Sequence, residues 1–214
     1  VHGDDTSDHR PAELPVVPPW LGDVDPAAGA PSAILLAAAQ LFSERSPSKV
    51  TLREIAERAG VNYGLIHHYF GTKDAIVSEL IRRASEAGAA SMAGTESIGD
   101  ALRALVDVNS PGTHTRMLAW ALLSDRHAPA RFTESPAVRH LAEMASRPRA
   151  GADVPCADPQ VLAAVLASAL MGWQLFRPFV VAAADLTDRP AAELNAAVYD
   201  TVRRLAEALL DAGG

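Results

Sequence analysis

Apolar positions recur along this chain at helical spacing, and strand-like alternation is scarce. From Ser32, placed as an N-cap, they fall at Ile34, Leu35, Ala38, Leu41 and Phe42, one face of a helix ending near Arg45. Thr51 followed by Glu54 has the spacing of a capping box and predicts a second helix, which Gly60 stops. Asn62 opens a third helix that runs to about Tyr69. Gly71 and Thr72 break and recap the chain, and a long helix follows from Lys73 to about Ser91. After a turn at Gly94 to Ser97, helices are predicted at about 97–108, 112–124 and 135–147, punctuated by Pro111, Pro129 and Pro136. Residues 148–159 form a loop, and two long apolar helices, about 159–184 and 190–211, close the chain. Pro190 sits where a first-turn proline belongs. The expected fold is all-α.

Composition divides the chain further. Residues 1–31 are rich in Pro, Asp, Gly and Ala, with Trp20 and Leu21 as the few anchors, and are expected to be a disordered acidic arm. The net charge is −7, but it is unevenly placed: −5 over residues 1–31, +2 over 32–83 and −4 over 84–214. Only the segment with the closely spaced short helices is positive, and a local patch matters more for phosphate contact than the global sum. One cysteine, Cys156, excludes a disulfide framework within the chain. No apolar run is expected to span a membrane, since residues 161–184 are broken by Gln174, Arg177 and Pro178. The acidic start lacks a signal-peptide pattern, so a cytoplasmic location is expected.

The segment from Thr51 to Lys73 carries the chemistry. Ala56 supplies a small residue at the helix crossing and Gly60 the positive φ of the turn. Ile55, Ala59, Val61, Ile66 and Tyr69 are expected to face inward. That leaves Asn62, Tyr63, Gly64, His67 and His68 outward on the third helix, where a recognition helix meets base edges in a major groove. Asn62 caps the helix or donates to a base, Tyr63 stacks and donates its hydroxyl, and Gly64 admits a close backbone approach. The two histidines bond phosphates or purine edges. Thr51, at a helix N-terminus, Arg53 and Lys73 are placed for phosphates, with Lys49 in support. A metal site at His67–His68 is not expected, because neighbours on a helix point about 100° apart.

The pieces ILLAAAQLF and VTLREIAERAGVNYGLIHHYFGTKDAIVSELI, within residues 34–80, resemble the DNA-binding domain of TetR-type regulators. The resemblance rests on an Ala-rich first helix ending in Leu-Phe, a Thr opening the second, and the run Ile-Ala-x-x-Ala-Gly-Val. A short recognition helix ending in aromatic-Phe, then a Lys and an acid, completes it. The chain departs from the pattern in three places. No Lys or Arg occurs between Arg10 and Arg45, Ser46-Pro47 follows the first helix, and His67 stands where a Tyr is usual.

After the compositional arm (1–31), the resemblance implies a three-helix DNA-binding domain (32–78) and a ligand-binding and dimerisation bundle (79–214). It implies a homodimer through helices 159–184 and 190–211, helped by the small Ala163, Ala167, Ala169 and Gly172. It also implies a palindromic double-stranded operator and a small hydrophobic or aromatic effector that releases it. Candidate effector contacts are Asn109, Met117, Trp120, Leu123, His140, Met144, Trp173, Gln174, Phe176 and Phe179, bulky or polar residues on otherwise apolar helices.

No nucleophile elbow, phosphate loop or metal-ligand spacing appears, so no enzyme, cofactor or metal is expected. The acid pair Asp185/Asp188 sits in a helix-entry turn. The competing readings are a helical interaction module or a bundle enzyme without specific DNA binding. A further idea is that the acidic arm folds back on the positive face and competes with DNA.

Overall fold

Helix starts fall where the chain supplies caps. In the computed structural model, which describes residues 17–22, 24–25, 27–108, 112–124, 134–147 and 158–211, all regular structure among the described residues is helical. The order is α1 (Ala30–Glu44), α2 (Leu52–Ala59), α3 (Tyr63–Tyr69), α4 (Lys73–Met92), α5 (Ile98–Val108) and α6 (Thr113–Ser124), then α7 (Pro136–Ala145), α8 (Pro159–Ala183) and α9 (Ala191–Asp211). Thr51 and Glu54 form the full reciprocal capping box at α2. Asn62 caps α3 through Gly64 N at 2.8 Å, and Thr72 caps α4 through Ala75 N at 3.1 Å. Gly60 adopts φ 64°, ψ 28°, the left-handed turn that ends α2. At α1 the cap is Gly29 rather than Ser32, because Pro31 takes a first-turn position and moves the start upstream.

Two apolar cores result. The first joins α1, α2 and α3 to α4 as far as Ala84, and takes Met117 and Ala121 from α6. The second is built from α5, α7, α8 and α9 with Met92 at the end of α4. Packing therefore runs across residue 78 along α4, and α6 reaches into the first core.

The expectation of an arm over residues 1–31 needs correction for its second half. A short 3-10 helix, Pro19–Leu21, places Trp20 and Leu21 in the first core at 1% exposure each, and Val24 follows them. Gly22, at φ 69°, brings this segment close to α4, where an added Cβ would lie 3.7 Å from Ala87 Cβ. Two large side chains buried against α4 outweigh the turn-forming composition around them. Residues 1–16 and Cys156 lie outside the described residues.

Helix α8 runs through Pro178, as the predicted helix at about 159–184 requires, and the proline leaves one backbone hydrogen bond unmade. By length and composition α8 is then apolar enough to cross a membrane, with a mean hydropathy of 1.4 over its most apolar 18 residues. Leu162, Ala163, Leu166, Leu170 and Trp173 turn one face of it into the protein core. The opposite face exposes Val161, Val165, Phe176, Phe179 and Val180. Small residues lie between them: Ala169 is exposed, and a Cβ on Gly172 would meet nothing within 4 Å. Ala163 is core and Ala167 faces an interior cavity, so only two of the four small residues expected at an interface are on the open face.

Candidate nucleic-acid interface and the adjoining chamber

In α3, Ile66 is the buried anchor, at 0% exposure, and Leu65 is half-buried. Asn62, Tyr63, Gly64, His67 and His68 are all exposed, as expected from helical phase. Tyr69 is exposed too, at 47%, not inward. The chain leaves the helix there, and Phe70 takes the inward place against the first core. The aromatic rings brace one another edge-on: Tyr63 and His67 centroids are 4.9 Å apart, those of His68 and Tyr69 4.8 Å. His67 Nδ1 donates to the Gly71 carbonyl at 3.0 Å, which leaves Nε2 outward.

The cations divide into committed and open ones. Arg45 pairs with Glu54 at 2.9 Å and Arg58 with Glu44 at 3.2 Å. Lys49 and Arg53 are exposed and, among the described residues, carry no ion pair. The Thr51 hydroxyl donates to Glu54 Oε2 at 2.9 Å while accepting from Glu54 N. The Glu54 carboxylate, pulled down to about 2 by the Thr51 N–H and hydroxyl and by Arg45, occupies the anion-attracting start of α2. Thr51 therefore builds the cap, and its hydroxyl proton is already committed there.

Lys73, expected on a phosphate, is engaged within the protein: its ammonium donates to the carbonyls of Pro47 at 2.7 Å and Val50 at 2.9 Å and lies 5.8 Å from the Trp120 ring centre. The start of α4 faces the turn before α2, where the Val50 carbonyl and the Pro47 carbonyl, which also accepts from Val50 N at 3.3 Å, hold the ammonium.

A chamber lies between α4, α5, α6, α7 and α8. It is lined by Ser85, His114, Thr115, Ser135, Gln174 and an otherwise apolar wall including Leu105, Leu141, Leu170 and Met171. The chamber is tight, a cavity of about 50 Å³. It opens through Ser85, His114 and Ser135 onto a wider groove beside Thr72, Asp74, Glu79, Arg82 and Glu134. Thr115 donates its hydroxyl to Gln174 Oε1, and Ser85 and Ser135 share a hydrogen bond at 3.0 Å. Gly112, at φ 82°, lies beside Gln174, where an added Cβ would sit 3.4 Å from the Gln174 side chain. Burial holds the His114 imidazole well below its usual value, at about 4, so it is neutral near pH 7.

Of the expected effector contacts, the chamber takes Gln174 alone. Met117 is buried in the first core, and Trp120 packs there beneath Lys73. Met144 is core, accepting a weak bond from Thr95 at 3.7 Å. Trp173 turns to α9 and donates to Asn195 Oδ1 at 2.9 Å, which Arg177 also reaches. His140 is half-buried outside the chamber, its Nδ1 3.9 Å from Glu143 and its Nε2 without a hydrogen-bond partner. Phe176, Phe179 and Leu123 are exposed, and Asn109 lies outside the described residues. The sequence reading missed His114 and Thr115. Their signal was a Thr-His-Thr run on the first turn of a helix entered through Pro111-Gly112.

A family described as bacterial regulatory proteins, tetR family, matches residues 34–80. The chain is 34% identical over 185 residues to the HTH-type transcriptional repressor Rv3405c of Mycobacterium tuberculosis, across 82% of this chain and 88% of that one. Its fold is shared with the crystal structure of SCO4942 from Streptomyces coelicolor (TM-score 0.63, 20% identity, 83% of this chain and 98% of that chain). The fatty acid degradation regulator FadR from Bacillus halodurans also shares the fold (TM-score 0.56, 16% identity, 83% and 96%).

Proposed function

The chain belongs to the TetR family of bacterial regulatory proteins, and we propose that it represses transcription by binding a palindromic operator as a homodimer that a small apolar effector releases. The observation that carries this reading is α3, a capped short helix held by one buried residue, Ile66, with Asn62, Tyr63, Gly64, His67 and His68 turned out together. A hairpin built only to fill a core has no use for that face. In this reading residues 32–78 contact DNA, with Arg53 and Lys49 on phosphates, and residues 79–214 bind effector and partner. The exposed apolar face of α8, continued by Leu205 and Leu209 of α9, supports pairing with a second copy. The chamber beside His114 supports the effector.

Footprinting on the DNA upstream of its own gene tests the reading. Two protected half-sites, about one helical turn apart from centre to centre, are expected. Protection without two-fold symmetry, or none at low salt, sinks it.

A further inference from the structure

The buried polar side chains among the described residues are Ser85, Thr113, His114 and Thr115. Three of these four line the single chamber described above. Thr115 is satisfied by Gln174, and Ser85 by Ser135. His114 is only 8% exposed, faces the chamber, and has no hydrogen-bond partner among the described residues. An imidazole buried to that degree is normally bonded. Apart from Ser135 and Gln174 the rest of the described lining is apolar, and among the described residues no Lys, Arg, Asp or Glu contributes to it.

The approach is slightly acidic. Among the described residues the outer groove is lined by Asp74, Glu79, Glu86, Glu134 and Arg82; Arg82 bonds Glu79 and Glu86, Arg83 also bonds Glu79, and Arg139 pairs with Glu134, so the acids exceed these arginines by one. A negatively charged ligand meets a slight excess of like charge at the mouth and, among the described lining residues, no cation inside. An unpaired carboxylate in such a site costs several kcal/mol of lost hydration. A neutral imidazole offers one donor and one acceptor, which suits a hydroxyl or a carbonyl.

We propose that the effector is an uncharged, largely apolar molecule carrying a hydroxyl or carbonyl oxygen that bonds His114, and that the chamber rejects carboxylates and phosphates. The class rests on the effector reading given above and narrows it. The tight inner space admits such a molecule by letting α6 and α8 part slightly around the Thr115–Gln174 bond.

Two matched pairs test the class on the intact chain: 2-naphthol against 2-naphthoate, and 1-decanol against decanoate. Binding is read at neutral pH by the shift in melting temperature and by displacement of Nile red, a neutral dye. In each pair the alcohol is expected to bind at least about tenfold more tightly. The parent is also expected to bind the alcohols more tightly than plain naphthalene or decane, and His114→Phe, which keeps the bulk and removes the polar atoms, to erase most of that second preference. Equal or tighter binding of either carboxylate, or no binding of both alcohols at saturating concentration, overturns the proposal. The same protein is titrated with its upstream DNA. Failure to bind that DNA sinks the regulator reading whichever probe binds, whereas intact DNA binding with a carboxylate preference sinks only the ligand class.

Discussion

The Lys73 ammonium donates to the Val50 carbonyl at 2.9 Å while lying over the ring of Trp120. This contact joins the turn before α2 to α6, and the first turn of α6 carries His114 and Thr115 into the chamber. One helix therefore touches both the cavity and the frame of the recognition helix. Lys73→Met removes two charged hydrogen bonds, each worth about 1.5–3 kcal/mol. The melting temperature is expected to fall and DNA affinity to weaken, with the slope of log K against log salt unchanged. A slope shallower by about one unit would mean that Lys73 reaches a phosphate after all.

Substitutions on the outward face of α3 should separate binding from folding. Tyr63→Ala and His68→Ala are each expected to cost about 1–3 kcal/mol of operator affinity. Thermal stability should change by no more than about 0.5 kcal/mol, since both side chains are exposed. Ile66→Ala is the control, costing about 2–5 kcal/mol of stability because that side chain is fully buried.

Trp20 makes the upstream segment a structural part. Trp20→Ala is expected to destabilise the protein by about 3–5 kcal/mol in denaturant titration. Removing residues 1–31 takes Trp20, Leu21 and Val24 out of the first core, so that truncation should not fold. A test of whether the acidic stretch competes with DNA must stop at residue 16, and unchanged affinity and salt slope there would dispose of the idea.

His114 ties stability to pH. Its folded value of about 4 lies below the usual 6.5, so the unfolded chain binds more protons between the two. Its contribution is complete above about pH 6.5 and is lost as pH falls toward 4, on the order of 3 kcal/mol in all. His114→Phe should flatten that part of the stability-pH curve. An equal loss in the variant would place the titration elsewhere.

The exposed face of α8 is the test of pairing. Phe176→Glu with Phe179→Glu puts charges in the middle of the apolar face and is expected to give a monomer by light scattering. The helical content should be kept, and DNA affinity should fall with the loss of one of two half-sites. A dimer that survives both changes would move the interface off this face.

What the sequence disclosed was local. The Thr51–Glu54 box, the Gly60 turn and the Asn62 cap span three or four residues each, so spacing alone specifies them. The Lys73 contacts were not legible because its partners lie 23 and 26 residues away and depend on how α4 meets the preceding turn. The effector residues failed for another reason. Trp173 and Phe176 are three positions apart on an apolar helix, yet one is core and the other exposed. Only the phase of packing against α9, fixed by Asn195, separates them. Trp20 was hidden by the prolines around it, which describe the backbone and say nothing of what the indole covers.

Fluorescence anisotropy of labelled upstream DNA, titrated at low salt with the intact protein and with Tyr63→Ala, tests the central claim most directly. The account expects saturable binding that random DNA of equal length does not compete away, and a loss of about 1–3 kcal/mol in a variant that melts as the parent does. Equal affinity for upstream and random DNA, or a Tyr63→Ala protein that binds as tightly as the parent, would contradict it.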